Sequence, residues 1–151
     1  MLHLTAEEQT IVDQALAILE RHMRHAGNAL TSPNAVRQYL RLELGNEINE
    51  WFSVVFLDNQ HRVITFKRLF QGSISSASVH TRVIVQESLK YNAAALVVAH
   101  NHPSGCSEPS DADVRLTRVI KDALSLIDVR MLDHLVVCAD DVTSFAERGL
   151  L

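Results

Sequence analysis

Residues 99–113 read Ala99-His100-Asn101-His102-Pro103-Ser104-Gly105-Cys106-Ser107-Glu108-Pro109-Ser110-Asp111-Ala112-Asp113. The stretch joins three kinds of local structure. Ala94–Ala99 is a short continuous apolar run, the pattern of a strand buried on both faces. Pro103, Gly105 and Pro109 break that pattern and mark a loop. An amphipathic helix then starts at Ser110 or Asp111 and runs to about residue 127, with Leu116, Val119, Ile120, Ala123, Leu124 and Ile127 on one face. A buried strand followed by a loop and an amphipathic helix predicts an α/β protein.

The same residues carry chemistry. Side chains two apart on a strand share one face, so His100 and His102 project together from the strand end. They can offer two imidazole nitrogens to one metal ion. Asp113 lies on the first turn of the helix, where its carboxylate can complete a three-ligand site. Two neutral imidazoles and a carboxylate suit zinc, with a fourth tetrahedral position left for water, as in catalytic rather than structural sites. Other divalent metals accept the same donors, so the set prefers zinc without requiring it. Each feature alone has a plainer reading. Most His-x-His pairs bind nothing, and Ser110-Asp111-Ala112-Asp113 by itself is a helix-capping box. Their meeting at the mouth of one buried strand favours metal, and Ser110 can cap the helix while Asp113 faces the ion.

Outward from this stretch, a helix is predicted over 6–25. Thr5-Ala6-Glu7-Glu8 has capping-box spacing, and Ile11, Ala15, Ile18, Leu19 and His22 fall on one face. A second helix starts at Ser32-Pro33 and ends near Gly45, turning Val36, Leu40 and Leu44 inward. Trp51–Leu57 and Arg62–Phe70 read as a hairpin about the turn Asp58-Asn59-Gln60-His61. Gly72 to Ser78 is loop, 79–91 is helical, and Met131–Cys138 is another buried strand before a short tail. The order is α-α-β-β-α-β-α-β. It predicts a mixed central sheet flanked by helices, with 1–46 as an N-terminal helical extension and 47–151 as the functional unit.

Composition narrows the function. In 151 residues, 47 % are hydrophobic and 21 % charged, which is globular rather than disordered. A net charge of −4 gives no electrostatic reason to expect nucleic acid as a partner. The longest apolar run, Ala93–Ala99, is too short to span a bilayer, and no membrane association is expected. Residues 1–8 lack the basic and apolar regions of a signal peptide, so a cytoplasmic location is expected, with Cys106 and Cys138 as reduced thiols. Cys138 reads as a small core residue. Cys106, inside the motif loop, reads as an inert thiol ahead of a fourth ligand or an oxidation site. Asp133-His134 is either a pair orienting a ligand or a packed core histidine.

His-x-His, seven residues, then Ser-x-x-Asp resembles the JAMM motif of MPN-domain metallohydrolases. The longer string His100-Asn101-His102-Pro103-Ser104-Gly105, with Pro109-Ser110 and Asp113, resembles the RadC family in particular. Glu50-x-Phe52 leading to Leu57-Asp58, Gly72-Ser73, Arg82, Asn92-Ala93, Leu132-Asp133-His134 and Ser144-Phe145 agree with it, from about residue 47 to the C-terminus. Thr81-Arg82-Val83 stands where that family carries Pro-Arg-Glu. The first helices do not resemble a helix-hairpin-helix module, so the likeness is to short stand-alone members.

The resemblance implies an MPN (JAMM) fold with zinc on His100, His102 and Asp113. It implies that Glu50 activates a water and that Ser110 helps polarise a substrate carbonyl. Spacing alone does not single out Glu50, which stands beside Glu47 and Asn49 as an ordinary polar residue would. The implied activity is hydrolysis of a peptide or isopeptide bond in a peptide or protein substrate. The alternative is a non-catalytic metal-binding module with a scaffolding or DNA-repair-associated role.

Overall fold

The computed structural model describes residues 3–24, 33–72 and 78–151. Ser32, His25 and most of the 72–78 loop, including Ser73, lie outside the described residues. The elements run α1 (Ala6–Arg24), α2 (Pro33–Leu44), β1 (Trp51–Leu57), β2 (Val63–Gln71), α3 (Thr81–Lys90), β3 (Ala95–Asn101), α4 (Asp111–Ser125), β4 (Arg130–Val137) and β5 (Val142–Ser144).

The five strands form one mixed sheet in the order β2-β1-β3-β4-β5. β1 is antiparallel to both β2 and β3, whereas β3 and β4 run parallel and are joined through α4. A parallel pair needs such a crossover, because the end of one strand and the start of the next lie at opposite ends of the sheet. Helices cover both faces. On one, Val55, Leu57, Val97, Ala99, Leu135 and Val137 pack against Val36, Tyr39, Leu40 and Leu44 of α2. On the other, Phe52, Val54, Phe56, Leu96 and Val98 pack against Ile84 of α3 and Leu116, Ile120 and Leu124 of α4. β1 and β3 are thus buried on both sides, which is why they read as apolar runs without alternation.

Three expectations need correction. In α1, Ile11 and Ile18 are exposed; Leu19 packs as expected, joined by Leu16, which the expected stripe left out. Its apolar residues permit either stripe. The hydrogen bond from Tyr39 Oη to Glu20 Oε1, 2.8 Å, holds the second one against α2. In α4, Val119 faces solvent, whereas Leu116, Ile120 and Leu124 are the apolar residues buried against the sheet. The C-terminal tail contains β5, antiparallel to β4. Three residues are too few to show a strand's alternation. Besides its pairing with β4, the segment is tied down by Asp133, whose carboxylate accepts from Ser144 Oγ at 2.5 Å and from the Ala146 N–H at 2.9 Å.

Candidate metal centre

The end of β3 delivers the histidines. Phe52 pairs with His100 across β1 and β3, so the start of one strand meets the end of the other. His100 is fully buried and stacks on Phe52, with ring centroids 6.4 Å apart and planes 11° from parallel. His102, just past the strand, is partly exposed. Its Nδ1 lies 2.8 Å from the Cys106 carbonyl oxygen. A carbonyl only accepts, so Nδ1 carries the proton and the lone pair of His102 sits on Nε2. The tight loop between Pro103 and Pro109 turns at Gly105, whose φ of 84° is accessible to glycine and strained for other residues.

α4 delivers the carboxylate. Ser110 is its N-cap, accepting the Asp113 N–H at 3.1 Å, while Asp113 Oδ2 accepts the Ser110 N–H at 2.8 Å. This capping box fixes the carboxylate and leaves Oδ1 facing His100 Nε2 at 3.4 Å. Burial opposes ionisation of Asp113, but the His100 ring and the Ser110 contacts outweigh it, holding the carboxyl well below the usual carboxylate range. Capping and facing the histidines therefore coexist in one side chain.

The donor atoms meet the demands of a small cation. His100 Nε2 and His102 Nε2 are 3.0 Å apart, and His102 Nε2 lies 3.7 Å from Asp113 Oδ2. A tetrahedral ion with bonds of about 2.0–2.1 Å holds its ligands roughly 3.3–3.4 Å apart, and the three observed separations bracket that value. Among the described residues, His100, His102 and Asp113 form a group able to hold a metal, and the Cys106 thiol is not part of it. Cys106 is exposed. Cys138 is buried, and burial pushes its thiol upward from the ordinary range.

Glu50 stands at the edge of this group. It lines a cleft of about 560 Å³ with Ile48, Asn49, Gly72, His102, Pro103 and Ser104. Its place is set by a residue to which sequence reasoning gave no role. Asn101 accepts the Trp51 N–H on Oδ1 at 2.8 Å and donates from Nδ2 to the Asn49 carbonyl at 3.0 Å. One buried amide thus clamps the backbone on both sides of Glu50 to the end of β3. Asn101→Ala leaves that donor and acceptor without their partner and should cost about 1–3 kcal/mol of stability. Urea denaturation checks it, and an unchanged midpoint would show that the clamp contributes nothing.

Ser110 is exposed, and because its Oγ accepts from Asp113, its own proton is available to donate outward. Behind His100 lies the fully buried His134, one of the pair that the sequence left open. Its Nε2 is 2.8 Å from His100 Nδ1, so it touches the other side of a candidate ligand. Burial first, then the neighbouring His100, hold the His134 ring well below the ordinary imidazole range. Thr117 also reaches His134, and nothing in the local sequence pattern marks it.

A mixed sheet with helices on both faces and a His-x-His…Ser-x-x-Asp cluster at one strand end defines a JAB-type α/β domain. Residues 30–150 match the family described as RadC-like JAB domain, and the chain belongs to that family. A UPF0758 protein of Vibrio cholerae is 51 % identical over 96 % of this chain and 91 % of its own length. UPF0758 proteins of Cellvibrio japonicus and Thioalkalivibrio sulfidiphilus are 50 % and 52 % identical over 91 % of this chain. The chain spans 64 % of the length of each of these two longer relatives. No helix among the described residues is long and apolar enough to cross a membrane.

Proposed function

We propose that this chain is a zinc-dependent hydrolase of the JAMM type, acting on a peptide or isopeptide bond of a peptide or protein substrate. His100, His102 and Asp113 hold the ion. The observation that carries the reading is that these three donors converge within 4.8 Å while Glu50 and His102 line one cleft. When bound, zinc supplies a Lewis acid that polarises a carbonyl and makes water acidic near neutral pH. Glu50 accepts the proton of the attacking water and returns it to the leaving amine. The Ser110 hydroxyl donates to the oxyanion that develops on the substrate carbonyl. Ile48, exposed on the cleft wall, offers apolar contact to a substrate side chain. A chain of net charge −4 supplies little attraction for a phosphate backbone, so nucleic acid has no part in this reading.

Metal analysis of the purified protein tests it directly. Wild type should carry about one zinc per chain, the number a single three-ligand site takes. His102→Ala should lose most of it, because His102 is partly exposed and its removal leaves the core intact. Equal zinc in both proteins would sink the assignment.

A further inference from the structure

Three short contacts join the inner side of His100 to α4. His100 Nδ1 is 2.8 Å from His134 Nε2, Thr117 Oγ1 is 2.6 Å from His134 Nδ1, and Thr117 Oγ1 is 2.6 Å from the Asp113 carbonyl oxygen. Atoms this close need a proton between each pair. The Asp113 carbonyl can only accept, so the Thr117 hydroxyl proton goes there. Thr117 then presents lone pairs to His134, and His134 Nδ1 must carry a proton and donate it.

A neutral imidazole has one N–H, so His134 Nε2 is an acceptor. His100 Nδ1 is therefore the donor in the last link, which leaves Nε2 as the atom turned towards His102 and Asp113. Burial of His134 against the rings of Phe52 and Phe145, at 5.8 and 4.5 Å, disfavours a second proton on it. Reversing any link in the neutral chain brings two acceptors or two donors face to face at 2.6–2.8 Å.

We propose that His134 and Thr117 are positioning residues that fix the tautomer of His100, so that Nε2 is the atom presented to the metal. The proposal rests on the metal-binding reading above. His102 obtains the same orientation from the Cys106 carbonyl, so the two ligands are set by unlike means: an exposed loop carbonyl for one, a buried side-chain relay for the other. The relay begins at the carbonyl of Asp113 itself. The residue that contributes the carboxylate thereby also orients the histidine beside it.

Thr117→Val keeps the side-chain shape and removes the hydroxyl, whereas Thr117→Ser keeps it. Two measurements separate them. In proton–nitrogen correlation spectra of the metal-free protein, wild type and Thr117→Ser should show His100 and His134 protonated on Nδ1. Thr117→Val should convert part of both rings to the Nε2–H form. Zinc affinity, read by competition with a chromophoric chelator, should fall about 10- to 100-fold in Thr117→Val and stay within about threefold in Thr117→Ser. His134→Leu, which removes the acceptor, should weaken zinc at least as much, with circular dichroism reporting whether it folds. The proposal is overturned if Nδ1 of wild-type His100 carries no proton. It is equally overturned if Thr117→Val matches wild type in ring spectra and in zinc affinity. If wild type takes up no zinc, the metal reading fails instead, and the ring spectra still decide the relay.

Discussion

Glu50→Gln should reduce amide hydrolysis by about 10²–10⁴-fold, the usual worth of a positioned general acid–base. The amide keeps the shape of the side chain but cannot take a proton from water. Zinc content and thermal stability should stay at wild-type values, because Glu50 lies outside the donor cluster and Asn101 holds the backbone on either side of it. Single-turnover rates on a panel of peptide and isopeptide substrates, beside metal analysis, provide the check. Zinc loss in Glu50→Gln would make Glu50 a ligand. An unchanged rate would remove it from the mechanism.

Phe52→Ala should be the most destabilising single change near the site. Phe52 is fully buried, stacked on His100, set edge-on to His134 and tilted against Phe70. Truncating such a ring removes apolar contact and leaves a cavity, typically costing about 3–5 kcal/mol. Phe52→Leu retains most of the volume and should lose markedly less. Denaturant unfolding of both proteins measures it; a loss within about 0.5 kcal/mol for the alanine variant, as at an exposed position, would show that the ring does not support the core.

The ligand-bearing stretch was legible because its periods differ from residue to residue. An apolar run, a Pro/Gly loop and a capping box follow one another, and each has a physical cause that a single sequence displays. β1, β3 and α4 fell where expected for that reason. What stayed hidden depended on contacts between distant segments. The choice between two apolar stripes on α1 is settled by packing against α2, and β5 is a three-residue strand defined by its pairing with β4 and by the Asp133 contacts to Ser144 and Ala146. Glu50 entered through family resemblance alone. The clamp that sets its position is made by Asn101, fifty residues from Trp51 in the chain. Thr117 looked like an ordinary helix residue until the fold placed His134 against it.

His100, His102 and Asp113 fall within fourteen consecutive residues, whereas Glu50 lies fifty positions before His100. Loop-closure entropy grows only as the logarithm of length, yet the two parts differ in what must form first. The three donors assemble once β3 ends and α4 begins, a local event that needs one turn of helix and one short loop. Glu50 arrives only when β1 has found β3, a non-local pairing of the kind that slows folding. Capacity to hold an ion and capacity to move a proton therefore belong to different levels of the fold. An isolated β3–loop–α4 unit contains all three donors but lacks both Glu50 and the His134 of β4 that orients His100.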